Sequence, residues 1–152
     1  MEPGKDISIR PMNLEDINWV LETEKICFPD PWTGEHFKSE IVHNNFSEPI
    51  IATLDNEKAG YAVTWFIADE LQITNIAVHP KFRRMKIGSS MISHILGEGK
   101  KKTIKFCYLK VDNSNYGAIE LYREFGFKEI GKRKNYYREN SSDALIMMKE
   151  LN

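Results

Sequence analysis

The apolar positions of this chain change period several times, and each change marks a predicted element. Ile7-Ser8-Ile9-Arg10 alternates as a short strand, stopped by Pro11, which has no N–H for a sheet ladder. Asn13 then stands as a cap before Leu14, Ile17, Val20, Leu21 and Ile26, which follow helical spacing. Phe28-Pro29-Asp30-Pro31-Trp32 closes that helix, because two prolines forbid its continuation. Thr33 opens a second helix with Phe37, Ile41 and Val42 turned inward. The aromatics beside these prolines make either a packed corner or one wall of a substrate mouth.

Three strand-like runs follow, at 49–54, 61–67 and 71–78, the first two separated by the turn signal Asp55-Asn56-Glu57-Lys58. Their short connections predict an antiparallel meander. A helix over 88–96 comes next, with Gly97 and Gly99 as its stop and Lys100-Lys101-Lys102 as a solvated loop. The strand at 105–111 is expected to lie parallel to the one ending at Val78, since strand and helix alternate here. Ser114 or Asn113 caps a helix over 115–125, which Gly126 stops. Strands at 127–133 and 143–149 flank an aromatic-bearing loop at 135–142. The order β-α-α-β-β-β-α-β-α-β-β predicts a mixed α/β sheet of six to seven strands with helices on both faces. No repeat or linker interrupts it, so one domain is expected over residues 1–152.

Composition narrows the classes. A net charge of −1 and a pI near 6.4 argue against a nucleic-acid binder with a broad basic face. Cys27 and Cys107 are too few and too far apart for a disulfide scaffold and predict a reduced, intracellular protein. The first residues lack an apolar signal core, and no run is long enough for a membrane span. A soluble cytoplasmic domain is the expectation. His36, His43, His79 and His94 form no metal-ligand motif and neither cysteine sits in a nucleophile context, so no metal and no covalent acyl-enzyme are expected. Gly99-Lys100 lacks the spacing of a P-loop.

The most legible chemistry lies between Asn75 and Ser90. An apolar strand is stopped by Pro80, and Lys81, Arg83, Arg84 and Lys86 follow without an acid among them. Gly88-Ser89-Ser90 then opens a helix, whose first N–H groups have no internal partner and whose dipole favours an anion. Read from the residues alone, this is either an anion cradle or a basic surface turn.

Several motifs, taken in order, resemble one family. Phe28-Pro29-Asp30-Pro31-Trp32, Asn75-Ile76-Ala77-Val78, the set Val111, Asn115, Ala118, Leu121-Tyr122 and Gly126-Phe127, then Asn135-Tyr136-Tyr137 and Asp143-Ala144 are similar to those of GNAT acetyltransferases, in particular the RimI-type branch and its archaeal relatives. That resemblance covers essentially the whole chain. It implies a sheet splayed at an acetyl-CoA site and transfer of an acetyl group to the N-terminal α-amine of a protein, either a ribosomal protein beginning with alanine or nascent chains more broadly.

By the same resemblance, the backbone of Ile76, Ala77 and Val78 would pair with the pantetheine arm. Arg83, Arg84, Met85, Lys86, Ile87, Gly88 and Ser89 would wrap the pyrophosphate. Asn115 would touch the cofactor, and Tyr122, two helical turns on, would act as general acid. An unperturbed phenol near pKa ~10 is protonated at neutral pH and can protonate a thiolate whose acid lies near ~8.5. Phe28, Pro29, Tyr136 and Tyr137 would border the peptide entry.

Two residues depart from the family pattern. Lys86 stands where the loop Gln/Arg-x-x-Gly-x-Gly/Ala has its first glycine, a cost on the order of 1 kcal/mol if the backbone there is left-handed. Lys110 stands where relatives carry glutamate or histidine, and a lysine near pKa ~10.4 cannot serve as a base. Alternation places Glu70, Gln72 and Thr74 on one strand face, with Glu70 the candidate base acting through water. The alternatives are a small-amine or lysine acetyltransferase and, given Lys86 and Lys110, a CoA-binding regulatory domain with impaired catalysis.

Overall fold

The structure is a computed structural model that describes residues 6–137 and 142–151, with only the backbone described at positions 135, 137 and 142. Its strands are β1 (Ile7–Pro11), β2 (Ser47–Leu54), β3 (Glu57–Ile67), β4 (Glu70–Val78), β5 (Phe106–Asp112), β6 (Lys128–Tyr137) and β7 (Ser142–Glu150). Its helices are α1 (Ile17–Cys27), α2 (Gly34–Val42), α3 (Ile87–Lys101) and α4 (Tyr116–Glu124), with single 3-10 turns at Leu14–Asp16 and Pro80–Phe82. The strands form one seven-stranded sheet in the order β1-β2-β3-β4-β5-β7-β6. Every described pairing is antiparallel except β4 with β5, which the α3 crossover makes parallel.

Two cores follow from this layering. Under α3 and α4 the sheet buries Leu71, Ile73, Ile87, Met91, Ile92, Cys107, Leu109, Tyr122 and Met147 among others. Under α1 and α2 it buries Val20, Phe37, Ile51, Tyr61, Val63 and Ala77. Leu14, Ile26 and Val42, expected to face inward, are instead half or more exposed. The buried stripe of α1 is Val20, Thr23 and Glu24, so helical spacing counted the wrong apolar residues and missed a carboxylate.

Three boundaries differ from the sequence expectation. α3 runs through both Gly97 and Gly99 to Lys101, turning two of the three expected loop lysines into its final turn, where cations suit the helix dipole. Gly99 is there for closeness: a Cβ would sit 2.9 Å from Leu151 Cδ1 and 3.1 Å from Leu71 Cδ2. α4 is capped by Asn115 itself, whose Oδ1 accepts from the Ala118 N–H at 3.3 Å, and not by Ser114 or Asn113. Lastly, β6 extends through positions 135–137, into the segment expected as a loop; residues 138–141 lie outside the described residues.

The first turn is anchored by Asp16, whose side chain is 2% exposed. Arg10 donates to both its oxygens at 2.8 Å, the Asn13 N–H donates at 2.8 Å, and Lys58 Nζ lies 3.0 Å away. Burial pushes this carboxyl up, but the Arg10 hydrogen bonds, the Asn13 N–H and Lys58 outweigh it and hold the group well below the usual carboxylate range. A depressed carboxylate contributes stability above its unfolded value near ~3.9, and that contribution disappears as pH falls below it. Asp16→Asn therefore lowers stability at pH 7 by about 1–3 kcal/mol, discounted for the part-exposed Arg10. The variant also shallows the loss of stability below about pH 4. Urea titrations at several pH values read both effects.

Candidate active site

A bulge in β4 builds the cleft. Val63 pairs with Asn75 and Thr64 with Ile73, which leaves Thr74 as the extra residue, its hydroxyl donating to the Val63 carbonyl at 3.0 Å. β4 pairs with β5 from Glu70↔Phe106 to Ile73↔Leu109 and no further, while its pairing with β3 continues to Val78↔Gly60. Bulges bend and twist their strand, and this one turns β4 away from β5 immediately after the last shared pair. It also exchanges faces: Leu71 and Ile73 point into the α3–α4 core, whereas Asn75 and Ala77 point toward α1 and α2. The expected one-face set of Glu70, Gln72 and Thr74 thus breaks at its third member.

The splay opens into a cavity of about 890 Å³. β4 lines it from Glu70 to Ile76 and β5 from Tyr108 to Asp112. Asn115, Ala118 and Tyr122 enter from the α4 side, Phe28, Pro29, Asp30, Trp32 and His36 from the α1–α2 side, and Tyr136 and Ile146 from the last strands. Phe28, Pro29, Tyr136, Asn115, Tyr122, Glu70 and Lys110 are thereby brought to one cavity. The side chain of Tyr137 lies outside the described residues. Tyr122 is buried, its ring edge-on to Phe127 at 5.9 Å. The Lys110 ammonium lies 5.7 Å from the centre of the Tyr136 ring, which Arg133 also approaches at 5.0 Å.

The cationic loop resolves into distinct parts. Lys81 turns away to Glu57 at 3.0 Å. Arg83 bends back toward the end of β4, with Nε donating to the Val78 carbonyl at 3.4 Å and Nη2 to Cys27 Sγ at 3.5 Å. Arg84 and Lys86 are exposed and both left-handed, at φ +64° and +65°. Position 86 therefore has the backbone that favours glycine. Lys86 is also the N-cap of α3 and makes no side-chain cap. The first intrahelical bond is Ser90 N–H to the Lys86 carbonyl at 3.0 Å, so the N–H groups of Ile87, Gly88 and Ser89 precede the ladder. With two cations beside them, these groups fit a pyrophosphate. The Ile87 side chain belongs to the core and Met85 is exposed, leaving their backbone as what the loop offers a ligand.

Sequence reasoning missed the polar centre between cleft and α1. Glu24 is 1% exposed and accepts from the Tyr61 hydroxyl at 2.5 Å, from Asn75 Nδ2 at 3.0 and 3.1 Å, and from the Trp32 N–H at 3.0 Å. Burial first, and then the adjacent carboxylate, push the Tyr61 phenol far above its ordinary range, so Tyr61 remains the donor. The available signal was Glu24 itself, four residues after Val20 on the buried stripe of α1. Burial also pushes both thiols up, Cys107 to about 12, consistent with neither being a nucleophile.

The profile of the Acetyltransferase (GNAT) family matches residues 14–127, and the chain belongs to that family. It is 38% identical to a provisionally named ribosomal protein bS18-alanine N-acetyltransferase of Bacillus subtilis (strain 168), over 95% of this chain and 96% of that protein. The ribosomal protein bS18-alanine N-acetyltransferase of Escherichia coli (strain K12) is 30% identical over 92% of this chain and 95% of its own length. The crystal structure of the Escherichia coli ribosomal-protein-S18-alanine N-acetyltransferase superposes with a TM-score of 0.88 at 28% identity, covering 97% of this chain and 95% of that one.

Proposed function

We propose that this protein transfers the acetyl group of acetyl-CoA to the N-terminal α-amine of a protein, and that its acceptor is a ribosomal protein beginning with alanine. The observation that carries this reading is the splay at Thr74: β4 lines the cavity bordered by Phe28 and Tyr136 as far as Ile76, and its end, free of β5, packs at Val78 against Gly88 in the uncapped first turn of α3. The names of the relatives support the acceptor class.

Bound acetyl-CoA supplies an activated acyl thioester. Ile87, Gly88 and Ser89 hold its pyrophosphate through backbone N–H groups, with Arg84 and Lys86 adding charge. The β4 edge at Ile76, Ala77 and Val78 aligns the pantetheine arm, and Asn115 borders it. The Tyr122 hydroxyl gives its proton to the departing sulfur. Phe28, Pro29 and Tyr136 receive the peptide.

No side chain is required as a strong base. A free α-amine with pKa ~7.7–8.0 is roughly one-tenth neutral at pH 7, whereas a lysine side chain near ~10.4 is almost wholly charged. Lys110 serves to orient Tyr136, its Nζ 5.7 Å from the centre of that ring. Glu70 lies six residues before Ile76, about 20 Å along an extended strand, beyond direct reach of an amine there.

The test is acetylation of an alanine-initiated peptide by the purified protein, followed through release of CoA thiol, beside small amines as competing acceptors. Turnover with the peptide and none with the amines is expected; the reverse refutes the proposal. Lys86→Gly separates backbone from charge in the loop. It raises stability by about 1 kcal/mol by relieving a left-handed lysine. It also weakens acetyl-CoA binding by about three- to tenfold through loss of a phosphate partner. Denaturation midpoints and calorimetry read the two effects.

A further inference from the structure

Trp65 is half-buried on β3, and its indole lines the cavity. Its Nε1–H donates at 2.5 Å to Oε1 of Glu40, a residue 5% exposed. Glu40 also accepts from Ser47 Oγ at 3.0 Å and from Asn44 Nδ2 at 3.3 Å. The ring is therefore held from α2, with its plane fixed before any ligand arrives.

The β3–β4 register places a carboxylate beside it. Trp65 faces Gln72 and Ile67 faces Glu70, in the uninterrupted stretch before the Thr74 bulge. Glu70 is thus the diagonal neighbour of Trp65 on the same face, at a spacing of about 7–8 Å that long side chains bridge. Glu70 lines the cavity, and its carboxylate makes neither a hydrogen bond nor an ion pair among the described residues.

Elsewhere the protein sets its own cations over rings: Lys102 lies over Phe66, Lys81 over Phe82, and Lys110 with Arg133 over Tyr136. Among the described residues, Trp65 has none. A tethered indole face next to an unpaired carboxylate is complementary to a guanidinium or ammonium, which gains both a ring face and an opposite charge. Among the described residues, the one Lys or Arg lining the cavity is Lys110, which leans toward Tyr136.

We infer that Trp65 and Glu70 form a subsite for a lysine or arginine side chain of the acceptor, with Glu40 as the positioning residue that holds the ring. This inference rests on the reading under Proposed function. Gln72, opposite Trp65, lies four residues before Ile76, about 13 Å along the strand. An extended peptide advances about 3.3–3.6 Å per residue, so a long side chain at acceptor position two, three or four spans the gap.

The experiment uses alanine-initiated peptides with a single arginine at position two, three or four, each matched to the same peptide with neutral, isosteric citrulline. At one position arginine raises kcat/KM for the peptide by about tenfold over citrulline. The Arg/citrulline ratio falls toward one in Glu70→Gln and in Trp65→Leu. It falls in Glu40→Leu and is retained in Glu40→Gln, whose amide oxygen still accepts the indole N–H. Glu70→Gln, isosteric and at the strand end, keeps the test independent of core packing. Acetylation of all peptides without an arginine preference, or a preference that survives Glu70→Gln and Trp65→Leu, overturns the subsite alone. Acetylation of none, citrulline peptides included, overturns the parent reading and the subsite with it.

Discussion

Tyr122→Phe lowers kcat by about a hundredfold to a thousandfold while leaving the Kd for acetyl-CoA within about twofold, the signature of a lost proton donor rather than a lost binding contact. The substitution removes only the hydroxyl. The ring keeps its buried place against Phe127, so the fold and the cleft persist. Steady-state turnover measured by CoA release, beside calorimetric titration of acetyl-CoA, separates the two quantities. Equal and small effects on both would reduce Tyr122 to a packing residue at the end of the cleft.

Glu24→Ala has the largest expected effect on stability. It strands the Tyr61 hydroxyl, the Asn75 amide and the Trp32 N–H, all directed at one buried carboxylate. The loss is about 3–5 kcal/mol, a third or more of the stability of many domains of this size. Because Asn75 is the first residue beyond the Thr74 bulge, the variant also loosens the splayed part of β4. Whatever protein remains folded therefore shows a raised KM for both acetyl-CoA and peptide. Glu24→Gln retains an accepting oxygen but turns an amide donor toward existing donors, and it falls between the two. Urea unfolding monitored through tryptophan fluorescence ranks the three proteins.

Much of the site was readable because it depends on local chemistry. A proline-stopped strand, clustered cations and small residues before a helix describe a cationic loop leading into a helix start, and α3 begins there, with Lys86 as its N-cap. The concern over Lys86 was equally local, and its φ of +65° is the conformation that made a glycine preferable there. The β2-β3-β4-β5 part of the strand order follows from short connections and the α3 crossover, both visible in the chain, whereas the insertion of β7 between β5 and β6 does not.

What escaped depends on tertiary partners. The Thr74 bulge hides behind unbroken alternation: buried and less buried residues alternate all along β4, although the core they enter changes after Ile73. Only the register with β3 reveals the switch. Glu24 was passed over because a carboxylate on an apolar stripe makes sense only once Tyr61, Asn75 and the Trp32 N–H converge on it from distant sequence. Gly99 looked like a helix stop until Leu151 and Leu71 showed why a small residue was needed mid-helix.

The central claim is that the cleft delivers acetyl groups to α-amines of proteins. It is tested most directly by one peptide with a free alanine N-terminus and an internal lysine, incubated with the purified protein and acetyl-CoA and sequenced by tandem mass spectrometry. The account predicts a single acetyl group on the alanine nitrogen with the lysine unmodified. Acetyl on the lysine Nε, with the N-terminus left free, would contradict it.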